Sequence, residues 1–119
     1  MHNFKELKIW QESRKLCKLV YQTTKHFPDS EKFGLTSQIR RAVVSIPSNI
    51  AEGAGRKSTK DFANFISYSL GSSYELETQL RIASDLEFIS EDELNRLLDE
   101  LYPIQKMINK FYNHLTNPS

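Results

Sequence analysis

Apolar side chains recur at intervals of three and four residues through four long stretches of this chain, the spacing that lines one face of an α-helix. In the first stretch, residues 7–27, Ile9, Trp10, Leu16, Cys17, Val20, Tyr21 and Phe27 keep that spacing. Lys8, Arg14, Lys15, Lys18 and Lys25 fall mostly elsewhere, as on an amphipathic helix. Pro28-Asp29-Ser30 ends it, because the residue before a proline resists helical geometry. A loop over 28–35 follows, with Gly34 as its hinge.

The second stretch, 36–54, opens at Thr36, a residue type suited to an N-cap. At about 100° per residue, Leu35, Ile39, Val43, Ile46 and Ile50 share one narrow sector, the expected core face. Gln38, Arg41, Ser45, Asn49, Glu52 and Arg56 form a polar stripe on one flank, and Arg40, Val44, Pro47 and Ala51 share the other. Pro47 has no N–H for the Val43 carbonyl and its ring crowds that turn, so the helix is predicted to kink there. An interior proline costs about 3 kcal/mol or more, which the hydroxyls of Ser45 and Ser48 can soften. Two short helices split at Ile46-Pro47 are the alternative, although the apolar phase runs unbroken across the proline. Gly53 and Gly55 are expected to tolerate the positive φ of a C-terminal cap. The polar stripe is expected to be structural, with Asn49 and Glu52 fixing the kink and a contact to a neighbouring helix or subunit.

Ser58-Thr59-Lys60-Asp61 opens the third stretch, 59–86, with a capping-box-like pattern. Phe62, Ile66, Ser69, Ser73, Leu76, Leu80 and Ala83 then form a heptad-like seam. Its middle, with Ser67, Ser69, Gly71, Ser72 and Ser73, has almost no side-chain bulk. Gly71 in a helix interior costs about 1 kcal/mol against alanine. Close approach of another helix, or room for Trp10 or Tyr21, explains it; a merely weak stretch is the other reading. Leu86-Glu87-Phe88-Ile89 makes the next turn, and Ser90-Glu91-Asp92-Glu93 is a full capping box opening the fourth stretch, 91–115. Leu94, Leu97, Leu98, Leu101, Ile104, Ile108, Phe111, Tyr112 and Leu115 carry its apolar face, Pro103 is expected to kink or break it, and the tail after His114 is expected to fray.

Four helices of about 20 residues with short connections predict an all-α, antiparallel up-down four-helix bundle, its second helix kinked at Pro47. The bundle takes in residues 1–119 as a single domain. Several helices show a second apolar or small flank, which points to self-association through the sides of the bundle.

Composition supports helices over a many-stranded sheet, since Gly and Pro number only four each and supply few turns. Charge changes the picture more. Residues 1–60 hold 12 Lys/Arg against 5 Asp/Glu, a net +7, while residues 61–119 hold 4 against 10, a net −6. Either the two halves attract each other within or between chains, or the basic half offers a face to nucleic acid. For the second reading Arg40, Arg41, Arg56, Lys57 and Lys60 are the candidate binding residues, at and after the central helix.

The motifs Leu7-Lys8-Ile9-Trp10, Gln38-Ile39-Arg40-Arg41-Ala42, Ser45-Ile46-Pro47-Ser48-Asn49-Ile50-Ala51-Glu52-Gly53 and Gly71-Ser72 with Glu75-Leu76-Glu77 and Gln79-Leu80 carry a resemblance. Over nearly the whole chain the sequence resembles the "four helix bundle protein" family, first noticed in intervening sequences of bacterial 23S ribosomal RNA genes. Ser45, Pro47, Asn49, Glu52, Gly53, Gly71 and Ser72 are its structural signature here. The resemblance implies an up-down bundle assembled as a ring-shaped homopentamer. The family is also similar to the accessory variability protein of diversity-generating retroelements, a basic pentamer that binds nucleic acid and partners a reverse transcriptase. Ser69, where the family often has Ala, and Pro103 depart from the pattern.

Enzyme chemistry finds no footing in the sequence, so no catalytic, cofactor or metal residue is assigned. His2, His26 and His114 lie far apart and share no helical face with carboxylates at ligand spacing. Gly53-Ala54-Gly55 follows no strand and lacks phosphate-loop spacing. Glu52 reads as the partner of Arg41 or Arg56 before it reads as a base. The single Cys17 excludes an intramolecular disulfide and, among Leu16, Leu19 and Val20, reads as a small buried hydrophobe. No apolar run approaches about 18 residues, so no membrane span is expected, and Met1-His2-Asn3-Phe4-Lys5-Glu6 leads into charged helix. The expectation is a cytoplasmic, non-enzymatic protein. Its expected partners are itself and RNA, DNA or a nucleic-acid enzyme, with no membrane and no small-molecule substrate. An oligomeric scaffold without nucleic-acid binding is the alternative.

Overall fold

The computed structural model describes residues 3–117, so His2 and the tail residues Pro118 and Ser119 lie outside it. It is a bundle of four helices: α1 (Lys8–Thr24), α2 (Leu35–Ala54), α3 (Thr59–Asp85) and α4 (Glu91–Thr116), with 3-10 turns at Phe4–Glu6 and Asp29–Glu31. Each helix packs on the next in sequence and α4 closes on α1. Along α1 and α2, Cys17 meets Val43 and Thr24 meets Arg40. Along α3 and α4, Phe62 meets Phe111 and Glu77 meets Gln105. In both pairs the numbers rise along one helix as they fall along the other.

The centre of the core follows the three-and-four spacing, although Tyr21 of the predicted α1 face is exposed and Trp10, Phe111, Tyr112 and Leu115 are only partly buried against it. Ile39, Val43, Ile46 and Ile50 of α2 have no exposed surface, nor do Ile66, Leu76 and Leu80 of α3, or Leu101 and Ile108 of α4. Ser69 and Ser73 are buried in the α3 seam as well. Burying such faces at about 25 cal/mol per Å² of apolar surface is the main force holding the helices together.

Local signals act where their side chains reach backbone donors. Ser58 accepts from the Asp61 N–H at 3.1 Å and starts α3. Ser90 and Glu93 form a complete capping box at the start of α4, at 3.1 and 3.0 Å. Thr36 corrects the expectation for α2. It is buried inside the helix, while Glu31 reaches forward to accept from the Leu35 N–H at 3.0 Å and does the capping. α1 stops at Thr24, three residues before the predicted end, and Phe27 folds inward against Phe88 with ring centroids 5.6 Å apart.

Both interior prolines are carried within unbroken helices, so Pro103 does not split α4 and α2 is one helix from Leu35 to Ala54. The glycines also depart from expectation. Among the described residues no glycine has positive φ. Gly53 lies within α2, where an added Cβ would come within 2.6 Å of the Phe65 Cβ, so it permits close approach of α2 to α3. Gly71 is exposed on α3 with nothing near the position of a Cβ, so no helix of this chain, nor Trp10 or Tyr21, approaches it. Trp10 packs instead on Phe4, with ring centroids 5.2 Å apart.

Candidate functional site

The signature around Pro47 forms a polar seam between α2 and α3. Asn49 Nδ2 donates to the Ser45 carbonyl and to Ser45 Oγ, both at 2.9 Å, and Ser45 Oγ lies 2.8 Å from Ser72 Oγ on α3. One turn away, Ser69 Oγ donates to the Ile46 carbonyl at 2.8 Å. Every one of these groups is held by another, so the seam joins helices rather than awaiting a ligand. Glu52 stands apart from it, exposed and paired with Arg56 at 2.9 Å.

Cys17 completes the proline site from the other side. Its Sγ donates to the Val43 carbonyl at 3.4 Å, the group that Pro47 deprives of a helical donor. Burial pushes the thiol up to about 11, so it stays protonated and serves as a donor, not a nucleophile. Sequence reading treated Cys17 as a hydrophobe. The available signal was the orphaned Val43 carbonyl, which demands some donor from a facing helix.

The five candidate cations fall into two groups. Arg40 and Arg41 lie near the start of α2, whereas Arg56, Lys57 and Lys60 lie at the α2–α3 connection. From Arg41 to Arg56 the helix travels roughly 20 Å at about 1.5 Å per residue, so they form no single cluster. In the second group Arg56 is committed to Glu52 and lies 4.7 Å from the Phe65 ring centroid. Lys57 and Lys60 are exposed.

The first group has a setting that sequence counting missed. Arg40 and Arg41 line a concavity of about 570 Å³ together with Lys32, Phe33, Tyr21, Ser45 and Ser48. Three cations therefore share one depression whose lining holds no carboxylate. Arg40 is fixed there, its Nε donating to Thr24 Oγ1 at 2.9 Å and its guanidinium 4.6 Å from the Tyr21 ring centroid. Phe33 is 91% exposed, with the Lys32 ammonium 5.6 Å from its ring. Thr36 Oγ1, buried beside this depression, has no hydrogen-bond partner among the described residues. Cations with exposed rings and no acid suit a polyanion with flat groups.

Elsewhere, Glu77 of α3 gathers α4. Partial burial works to raise its carboxyl, but hydrogen bonds from Gln105, Arg81 and Tyr102 outweigh this and hold it below the usual carboxylate range. Its contacts are 3.2 Å to Gln105 and 3.1 Å to each of Arg81 and Tyr102. Among the described residues, no three His, Cys, Asp or Glu side chains converge as a metal site, and no helix is long and apolar enough to cross a membrane.

No curated protein matches the chain. Among solved structures, it is similar to a Bacteroides thetaiotaomicron VPI-5482 protein of unknown function from the S23 ribosomal protein family. The two are 22% identical with a TM-score of 0.79, over 87% of this chain and 97% of that one. At that identity the likeness speaks for the fold. The family model for the 23S rRNA-intervening sequence protein matches residues 5–110, and the chain belongs to that family.

Proposed function

We propose that this chain is a non-enzymatic helical-bundle module of the cytoplasm that assembles with copies of itself, in a ring of five, and binds nucleic acid. One observation carries the binding: Lys32, Arg40 and Arg41 converge on a depression lined by no carboxylate. The reading takes the bundle as antiparallel, which the opposed order of cross-helix contacts supports. It takes α2 as bent at Pro47, where Cys17 and Ser69 bring donors to the carbonyls of Val43 and Ile46. Phosphate binding releases counterions, so affinity for duplex DNA or RNA should fall steeply with salt. Two or three contacts at about −0.9 each predict a log–log slope of roughly −2 to −3, and Arg41→Gln should reduce it by about one. Absence of binding at low salt rejects the reading.

The scaffold reading has its own support. Tyr68 and Ile82 of α3 and Leu86 directly after it are exposed and leave apolar surface to bury. Light scattering tests it: a discrete oligomer is expected, and a stable monomer at micromolar concentration rejects self-association.

A further inference from the structure

We infer that the groove takes unpaired nucleotides: Phe33 is a stacking platform for a base, and Lys32 and Arg41 meet the flanking phosphates. This rests on the nucleic-acid reading of the same groove and names the form it takes.

The connection between α1 and α2 carries two phenylalanines with opposite fates. Phe27 is buried against Phe88, whereas Phe33 is 91% exposed and takes no part in the core. Leaving a full ring in water forgoes the large burial that aromatic side chains otherwise supply, so its position calls for a partner with a flat apolar face. The neighbouring residue places a charge beside it, with the Lys32 ammonium 5.6 Å from the ring centroid. On the α2 wall Arg40 is engaged by Thr24 and Tyr21, and Arg41 is exposed in the same depression.

A duplex hides the faces of its bases in the stack and offers phosphates, sugars and base edges, so Phe33 finds no base face there to stack on. A single strand presents a π-face at every nucleotide, which one ring and adjacent cations are enough to hold. From Phe33 to Ser48 the wall runs roughly 20 Å at about 1.5 Å per residue. That accommodates about six nucleotides at the stacked spacing of about 3.4 Å per strand. The ring reads no base edge, so sequence preference should be slight.

The test uses the full chain and fluorescence anisotropy at low salt, with labelled oligothymidylate and oligouridylate of about twelve nucleotides, within the range of single-strand sites. A duplex of the same length is the control. Both single strands should bind about tenfold or more tightly than the duplex. Phe33→Ala should weaken single-strand binding roughly tenfold and leave the duplex unchanged, while Arg41→Gln weakens both. Because Phe33 lies outside the core, its variant should melt with the parent, so lost binding is not lost folding. Tighter binding of one single strand than the other reflects the 2′-hydroxyl or the thymine methyl, the two groups by which the probes differ, and either supports the inference. Equal binding of single strand and duplex, with Phe33→Ala silent, overturns it and leaves the broader reading standing. No binding of any probe overturns both.

Discussion

Cys17 Sγ on α1 donates to the carbonyl of Val43 on α2 at 3.4 Å, filling the place of the N–H that Pro47 lacks. A proline inside a helix is tolerated here because a facing helix supplies the missing donor. Removing that donor strands a carbonyl, so Cys17→Ala should lose about 1 kcal/mol or somewhat more in urea unfolding, and Cys17→Ser should recover most of it. In a Pro47→Ala background, where the helical donor returns, the loss from Cys17→Ala should shrink. An undiminished loss there would show that Cys17 acts through packing alone.

The same thiol sets an alkaline limit. Its folded-state pKa is raised by burial from 9.0 to about 11, so the protonated form is favoured in the fold. The resulting stability is complete below the unfolded value and is lost as pH rises through that window. Chemical denaturation across it should show a decline that Cys17→Ala flattens, and a thiol reagent at mildly alkaline pH should react slowly until the chain unfolds.

Glu77 gives the acid limit with the opposite sign. Its folded pKa is depressed by its bonds to Gln105, Arg81 and Tyr102, so its contribution is present above the unfolded value. It is lost as pH falls through the depressed folded value. Glu77→Gln should therefore flatten the acid side of the stability profile, and a profile identical to the parent's would remove Glu77 as the cause.

Two glycines should respond to alanine in opposite directions. At Gly53 the new Cβ would meet the Phe65 Cβ at 2.6 Å and Phe62 Cδ1 at 3.0 Å, both tied closely to the α3 backbone. Gly53→Ala should destabilise by about 1–3 kcal/mol, the scale of overpacking. At Gly71 the space is open, and Gly71→Ala should stabilise the isolated chain by about 1 kcal/mol through helix propensity. Thermal melts of both variants against the parent decide it.

Within the polar stripe, Asn49 and Glu52 should separate as well. Asn49→Ala removes two bonds to Ser45 beside the Ser72 contact and should lose about 1 kcal/mol. Glu52→Ala removes an exposed pair and should change stability by under about 1 kcal/mol. Equal losses would contradict the division of the stripe into a seam and a solvated end.

Other features were hidden from the sequence for physical reasons. Glu87 adopts φ 64°, and its N–H and that of Phe88 close the end of α3 on the carbonyls of Ser84 and Ala83 at 3.0 and 2.9 Å. Glycine normally signals such a cap, so a glutamate held there by the turn left no trace in residue type. Nearness along the chain suggests one group of cations. The helix rise between Arg41 and Arg56 separates them, and the fold brings in Lys32 and Phe33 from the preceding connection instead.

The sequence by itself determined the four helices, their buried faces and the caps at Ser58 and Ser90. Those features depend on interactions within a few residues, and helical periodicity writes them into the order of side chains. Only the tertiary structure decided which donor reaches Val43, why Gly53 is needed where Gly71 meets nothing, and which cations share a depression. Each of these depends on the distance between helices distant in sequence, and no local pattern encodes that distance.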